Sequence, residues 1–163
     1  MRGFFGWVAL FGLVGCGGTY AEVSGTAGGV EFERTTEVYF GGPFVVISMI
    51  ELDCEDLDWV RRNYEVGNAP TDADTAMLQF SYEVDAIVEG PAPVAVDGAA
   101  SASVLKIGGG AFYEAIAEGG LLTIEQIVEE EHATGVFEGI LFEDGSTLDG
   151  EFDATWCRNL KPR

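Results

Sequence analysis

Alternation of apolar and polar side chains is the feature that most narrows the folds open to this chain of 163 residues. Apolar residues occupy every second position from Leu78 to Val88, and most positions between them are polar. A second run with the same period extends from Leu148 to Trp156. A period of two residues predicts a β-strand with one buried face and one wet face.

Other segments extend this β pattern. The segment from Val136 to Phe142 faces the last strand across a turn that contains Asp144-Gly145, so an antiparallel hairpin is predicted there. Strands are also expected over residues 30–33, 37–40 and 44–50, the last of them central in the sheet. Residues 122–128 favour a strand, with a short helix opened by Thr123 as the alternative.

One stretch has helical spacing, from Glu55 to Tyr64, and Asp53 is available as its N-cap. Residues 89–103 are expected to form an irregular connection or a weak edge strand, and residues 108–120 are assigned to no element. The predicted fold class is therefore all-β: an antiparallel β-sandwich or flattened barrel of about seven to nine strands with one short helix.

The N-terminal segment differs from the rest of the chain. Residues 1–15 contain one positive charge, Arg2, followed by an apolar run from Phe4 to Val14. This is the pattern of a signal peptide. The apolar run is shorter than the stretch of about 18 residues that a transmembrane helix needs.

The sequence Leu13-Val14-Gly15-Cys16 resembles the lipobox of bacterial lipoprotein precursors. The resemblance implies cleavage in front of Cys16 and attachment of acyl chains to its sulfur, and two or more such chains anchor a protein stably. An ordinary buried cysteine in an apolar helix is the alternative interpretation.

We therefore expect a signal peptide over residues 1–15, a lipidated N-terminus and flexible tether over residues 16–27, and a single β-rich domain over residues 28–163. In the logic of that family, the absence of Asp directly after the cysteine favours the outer membrane as the location in the cell envelope.

The charge balance narrows the classes of partner. The chain has 8 basic and 28 acidic residues, and loss of Arg2 with the signal peptide would leave 7 against 28, a formal charge of −21. Nucleic acid is excluded as a partner because binding to phosphates needs clustered Lys and Arg. Such a charge favours cations or basic partners and would be repelled by anionic lipid, so contact with the membrane would depend on the anchor at Cys16.

Two cysteines remain after Cys16 is assigned to lipid. In an oxidising compartment, Cys54 and Cys157 are expected to form a disulfide. A catalytic cysteine would have only His132 as a base, so we assign no catalytic residue and no cofactor.

Acidic clusters raise the question of a metal site. The carboxylates beside Cys54 and those of Asp72 and Asp74 could supply part of a calcium site, and residues 129–132 add the single histidine. Zinc needs three or four protein ligands, at least some of them His or Cys. Because Cys54 and Cys157 are expected to form a disulfide, His132 alone is too few. We predict solvated surface at the two acidic patches, a polar turn at residues 129–132 and no metal.

A second resemblance covers parts of the mature chain. Residues 23–32 and 47–54, together with Thr134-Gly-x-Phe-x-Gly139 and Gly150-Glu-Phe-Asp-Ala154, look like segments of small β-rich envelope lipoproteins of Gram-negative bacteria. The resemblance implies that the late Gly-x-Phe strands form a meander, and it implies no catalytic residue.

The function expected from these features is that of a lipid-anchored, non-enzymatic structural or interaction module with a possible envelope protein as partner. The alternative is a module that binds calcium or a small apolar ligand in a cavity lined by Phe80, Tyr82 and Phe152. An envelope hydrolase, with carboxylates clustered around His132, comes third.

Overall fold

The structure, a computed structural model, describes residues 19–32, 37–71 and 74–160. The expected signal peptide and Cys16 lie outside these ranges. Within them the chain forms one helix, α1 (Cys54–Glu65), and ten strands: β1 (Tyr20–Ala27), β2 (Val30–Glu31), β3 (Glu37–Gly41), β4 (Phe44–Ser48), β5 (Asp74–Tyr82), β6 (Gly90–Pro93), β7 (Ala100–Gly108), β8 (Ala111–Val128), β9 (His132–Phe142) and β10 (Thr147–Trp156).

Seven of the strands close into a barrel. The hydrogen-bonded order is β10-β3-β4-β5-β7-β8-β9, and β9 pairs with β10 to complete the ring. All neighbours in the ring are antiparallel except β10 and β3, which pair in parallel through Thr155 with Tyr39 and Trp156 with Phe40. The predicted all-β class is confirmed, and of the two architectures left open the barrel is the one observed.

Two long strands each have two partners along one edge. The first part of β8 pairs with β7 and its second part pairs with β6, while β9 occupies the other edge. In the same way, β10 pairs with β1 over Leu148 to Asp153 and then with β3 at its end. β1 and β6 therefore extend the sheet at these edges but are not among the seven strands of the closed barrel.

The tether expected over residues 16–27 is wrong for residues 20–27, which form β1. Ala21 and Val23 pack against the barrel core, whereas Glu22 and Ser24 face outward. On the edge of β10 that pairs with β1, β3 pairs only with the last two residues, so the backbone groups of the preceding residues are left for hydrogen bonds with β1. The alternating side chains of β1 fit that edge.

Other boundaries also differ from the prediction. The strand expected over residues 78–88 ends at Tyr82, because the chain then folds over the barrel end, where Ile87 N donates to Gly42 O. Residues 89–103, expected to form an irregular connection or a weak edge strand, contain the short edge strand β6 and also the start of β7. Residues 108–120 form the tight turn and first half of β8. Residues 122–128 are confirmed as strand.

The barrel interior is filled by large apolar side chains. The Phe80 and Phe137 rings pack with their centroids 5.2 Å apart, and Phe152 and Tyr82 are also buried in this core. The side chains expected to line a ligand cavity therefore pack against the core. The largest fully buried side chains of this core are Phe40, Phe80, Phe137, Phe142, Phe152, Ile47, Leu78, Leu122, Ile124, Ile140 and Leu148.

The predicted helix is confirmed as α1 and packs on the outside of the barrel. Its N-cap is Asp53, whose carboxylate accepts from the backbone of Glu55 and Asp56, and the Asp56 carboxylate accepts in return from Asp53 N. Leu57 and Val60 bury against the barrel in a second apolar cluster. In the described ranges no helix is long and apolar enough to cross a membrane.

The predicted disulfide between Cys54 and Cys157 is present. It joins the first residue of α1 to the residue that follows β10. The helix is thus covalently fixed to the C-terminal end of the barrel strand that closes the ring.

Candidate functional site

Several recesses lie on the described surface, and one of them is a groove between α1 and the barrel. We call it the α1 groove; its volume is about 260 Å³. Its apolar lining is contributed by α1, by the outer faces of β4, β5 and β7, and by the C-terminal segment: Phe44, Val46, Leu57, Val60, Met77, Leu105 and Leu160. Its polar lining is Tyr64, Glu65, Gln79, Ser103 and Glu114.

One rim of the α1 groove ties the end of the helix to β8. The Tyr64 hydroxyl donates to Glu114 Oε2 at 2.5 Å, and the Tyr64 ring packs edge-on against Phe112 with centroids 5.4 Å apart. The hydrogen bond to the Glu114 carboxylate, together with partial burial, raises the pKa of Tyr64. The rim therefore presents an aromatic ring and a carboxylate side by side.

The disulfide stabilises the opposite wall. Leu160 lies three residues after Cys157, and its backbone N donates to Cys157 O at 3.1 Å. Asn159 Nδ2 donates to Cys54 O at 3.3 Å. Because these contacts hold the C-terminal segment against the start of α1, the groove has a defined width.

The second recess lies at the barrel end where β3, β5, β8 and β10 finish. We call it the barrel mouth; its volume is about 460 Å³. Its floor is apolar, formed by Phe40, Ile87, Ile127 and Trp156, and its rim carries three carboxylates, those of Asp85, Glu129 and Glu130, with Gly42 and Ala86 between them.

Backbone hydrogen bonds fix the segments around the barrel mouth. Trp156 N donates to Glu131 O at 2.9 Å, which joins the β8–β9 turn to the end of β10. Ile127 N donates to Glu89 Oε1 at 2.9 Å, which joins the loop after β5 to β8. Glu130 has a φ of 56°, a left-handed conformation that glycine adopts more readily.

The described residues that the sequence singled out lie in different surroundings, and Asp72 lies outside the described ranges. Asp53 and Asp56 cap α1, so part of the acidic patch near Cys54 has a structural role. Glu129 and Glu130 line the barrel mouth, whereas half-buried His132 begins β9, where it pairs with Val128 and Thr155. In the part of the chain that the structure describes, no three His, Cys, Asp or Glu side chains are placed to hold a metal ion.

Sequence reasoning predicted neither recess. The α1 groove is lined by residues from five elements and the C-terminal segment, and each residue has the local pattern of ordinary core or surface. The barrel mouth offered one signal, the acidic run that starts at Glu129, but the aromatic floor beneath it comes from β3 and β10.

Comparison of the chain with models of protein families, with curated proteins and with solved structures finds no match.

Proposed function

We propose that this protein is a lipoprotein of the bacterial cell envelope, held at the outer membrane by acyl chains on Cys16, and that it acts as a non-enzymatic interaction module. The Leu13-Val-Gly-Cys16 motif supports the anchor. The observation on which the proposal depends is the short chain between that cysteine and the barrel wall.

The length of this connection limits how far the barrel can lie from the anchor. Thr19 Oγ1 donates to Glu37 Oε2 at 3.1 Å, and β1 begins at the next residue. At 3.3–3.6 Å per residue, the three residues from Cys16 to Thr19 span at most about 11 Å. A lipid-anchored barrel would therefore lie beside the bilayer surface, with the start of β1 facing the membrane.

The α1 groove is the surface best suited to a protein partner. Its lining is largely apolar, as at the centre of many interfaces, and the carboxylates of Glu65 and Glu114 lie at its polar edge. This combination favours a partner segment that inserts apolar side chains and carries a basic residue beside them.

The anchor is tested with Cys16→Ser, and Gly18→Ser serves as a matched control that places the same side chain two positions away. Wild type and Gly18→Ser should be shortened by the signal peptide, gain the mass of the acyl chains and float with membranes in a density gradient. Cys16→Ser should keep its precursor mass. Processing of Cys16→Ser to the wild-type length, together with membrane flotation, would contradict the anchor.

The interaction surface is tested by placing a photo-crosslinking phenylalanine analogue at Ser103 or at Ser101 in the lipidated protein. Both positions are half-buried on β7 and only Ser103 lines the α1 groove. We expect a discrete crosslinked protein from position 103 in intact envelopes and none from position 101. Equal labelling from both positions, or none from either, would argue against the groove.

A further inference from the structure

We propose that the barrel mouth binds a small organic cation, an ammonium or guanidinium group carried on an apolar body. This site is independent of the anchor and of the α1 groove. The proposal follows from three properties of the mouth: its volume, its aromatic floor and the three carboxylates at its rim.

The volume and floor suit a small molecule. Ligand pockets usually occupy about 300–1,000 Å³ and often lie in the mouths of β-barrels, and this one has about 460 Å³. Phe40 and Ile87 are buried in its floor, while Ile127 and Trp156 are half-buried and contribute accessible apolar surface. An apolar body seated there would exclude water from that surface.

The indole ring of Trp156 is held in place by its neighbour. It packs edge-on against Phe40 with centroids 5.2 Å apart and an interplanar angle of 63°. A cation over the face of a tryptophan ring is attracted by the negative charge of the π system. The floor therefore offers a cationic group more than a simple apolar contact.

The carboxylates at the rim favour a positively charged ligand. Asp85 comes from the loop after β5, and Glu129 and Glu130 come from the β8–β9 turn, so two separate segments bring carboxylates to one pocket. Among the described residues that line the pocket there is no Lys, Arg or His. Carboxylates around a low-dielectric floor concentrate a negative potential, which attracts cations and repels anions.

The pocket is tested with three probes of similar shape: phenethylamine, 2-phenylethanol and 3-phenylpropionate. Isothermal titration of the detergent-solubilised lipidated protein at pH 7 should show the amine binding at least ten times more tightly than the alcohol, with no binding of the acid. Equal affinity for amine and alcohol, or no binding of the amine at millimolar concentration, would overturn the proposal.

A matched pair of triple variants localises the effect. Asp85→Asn, Glu129→Gln and Glu130→Gln together remove the rim charges and should abolish the tenfold preference for the amine. Glu31→Gln, Glu138→Gln and Glu143→Gln remove the same charge from exposed positions that do not line the mouth and should retain it. All six side chains are exposed, so circular dichroism should show both proteins folded. An equal loss of preference in the control would overturn the proposal.

Discussion

Gly150 of β10 lies directly opposite Phe137 of β9, and the aromatic ring covers the glycine backbone. A β-carbon built at Gly150 would lie 2.5 Å from Cζ of Phe137. The relationship is reciprocal, since Gly135 lies opposite Phe152 and a β-carbon there would lie 2.8 Å from its Cζ. Each strand thus carries one Gly-x-Phe unit, and each ring fills the space above the glycine of the other strand.

The first prediction concerns this pairing. Gly150→Ala would place a β-carbon 2.4 Å from the Glu22 carbonyl oxygen and 2.5 Å from Cζ of Phe137, so that both β1 and the ring must shift. Overpacking of this kind costs about 1–3 kcal/mol in the free energy of unfolding. Urea denaturation measures that loss. Gly119→Ala is the control, because a β-carbon at Gly119 meets no atom within 4 Å. Equal stability of the two variants would show that the ring and the β1 backbone can move aside without cost.

Local patterns predicted the elements whose burial alternates cleanly. The hairpin of β9 and β10 and the helix α1 follow from such patterns, because large apolar side chains stand at every second position or at helical spacing. In β7 the pattern was harder to detect, since the inward-facing residues Ala100 and Ala102 are small and share the strand with Ser101 and Ser103. For β1, the small and polar residues around Val23, such as Glu22, Ser24 and Gly25, led to the prediction of a tether.

Closure of the barrel could not be predicted in the same way. It depends on two residue pairs between β10 and β3, such as Trp156 with Phe40, which are far apart in the sequence. The same alternation would serve a sandwich equally well. The barrel mouth depends on this closure, because the two aromatic residues of its floor meet only there.

The second prediction concerns the disulfide. Replacing Cys54 and Cys157 together by serine should lower the free energy of unfolding by about 2–5 kcal/mol, the range typical of small secreted domains. Because the bond ties α1 to the C-terminal segment, hydrogen exchange should increase most in α1 and residues 157–160, with a smaller change in β9. Exchange that increases uniformly would contradict a local role in shaping the α1 groove.

The third prediction separates stability from binding at Glu130. Glu130 is in the left-handed conformation, which costs a residue with a β-carbon roughly 1–2 kcal/mol of folding free energy. Glycine avoids this cost but has more conformational freedom in the unfolded chain, which offsets about 0.4–1 kcal/mol. Glu130→Gly should therefore raise the free energy of unfolding by about 0.5–1 kcal/mol. Glu129→Gly is the control, since Glu129 is not left-handed and gains nothing. Both variants should bind phenethylamine more weakly, and only Glu130→Gly should melt at a higher temperature. A lower melting temperature for Glu130→Gly would contradict this assignment.

The fourth prediction concerns alkaline pH. Burial raises the pKa of Tyr82 from 10.0 to about 12, and its hydroxyl has no hydrogen-bond partner among the described residues. Between these values the unfolded chain loses the phenolic proton while the folded chain keeps it, so the unfolded state binds fewer protons and stability falls as the pH rises. The full contribution is present below pH 10 and amounts to at most about 2.7 kcal/mol, from about 1.36 kcal/mol per pKa unit.

Tyr82→Phe removes this titration. Urea denaturation at pH 8 and at pH 11.5 should show a smaller loss of stability between the two pH values for Tyr82→Phe than for wild type. Tyr39→Phe is the comparison, because the pKa of Tyr39 is also raised to about 12, by partial burial first and by Glu37 second. Tyr39 donates to Leu52 O at 2.9 Å, so its removal should also lower stability at pH 8, whereas removal of the unpartnered Tyr82 hydroxyl should not. If Tyr82→Phe lost as much stability as wild type between pH 8 and 11.5, the Tyr82 phenol would have to ionise in the folded barrel near its ordinary pKa.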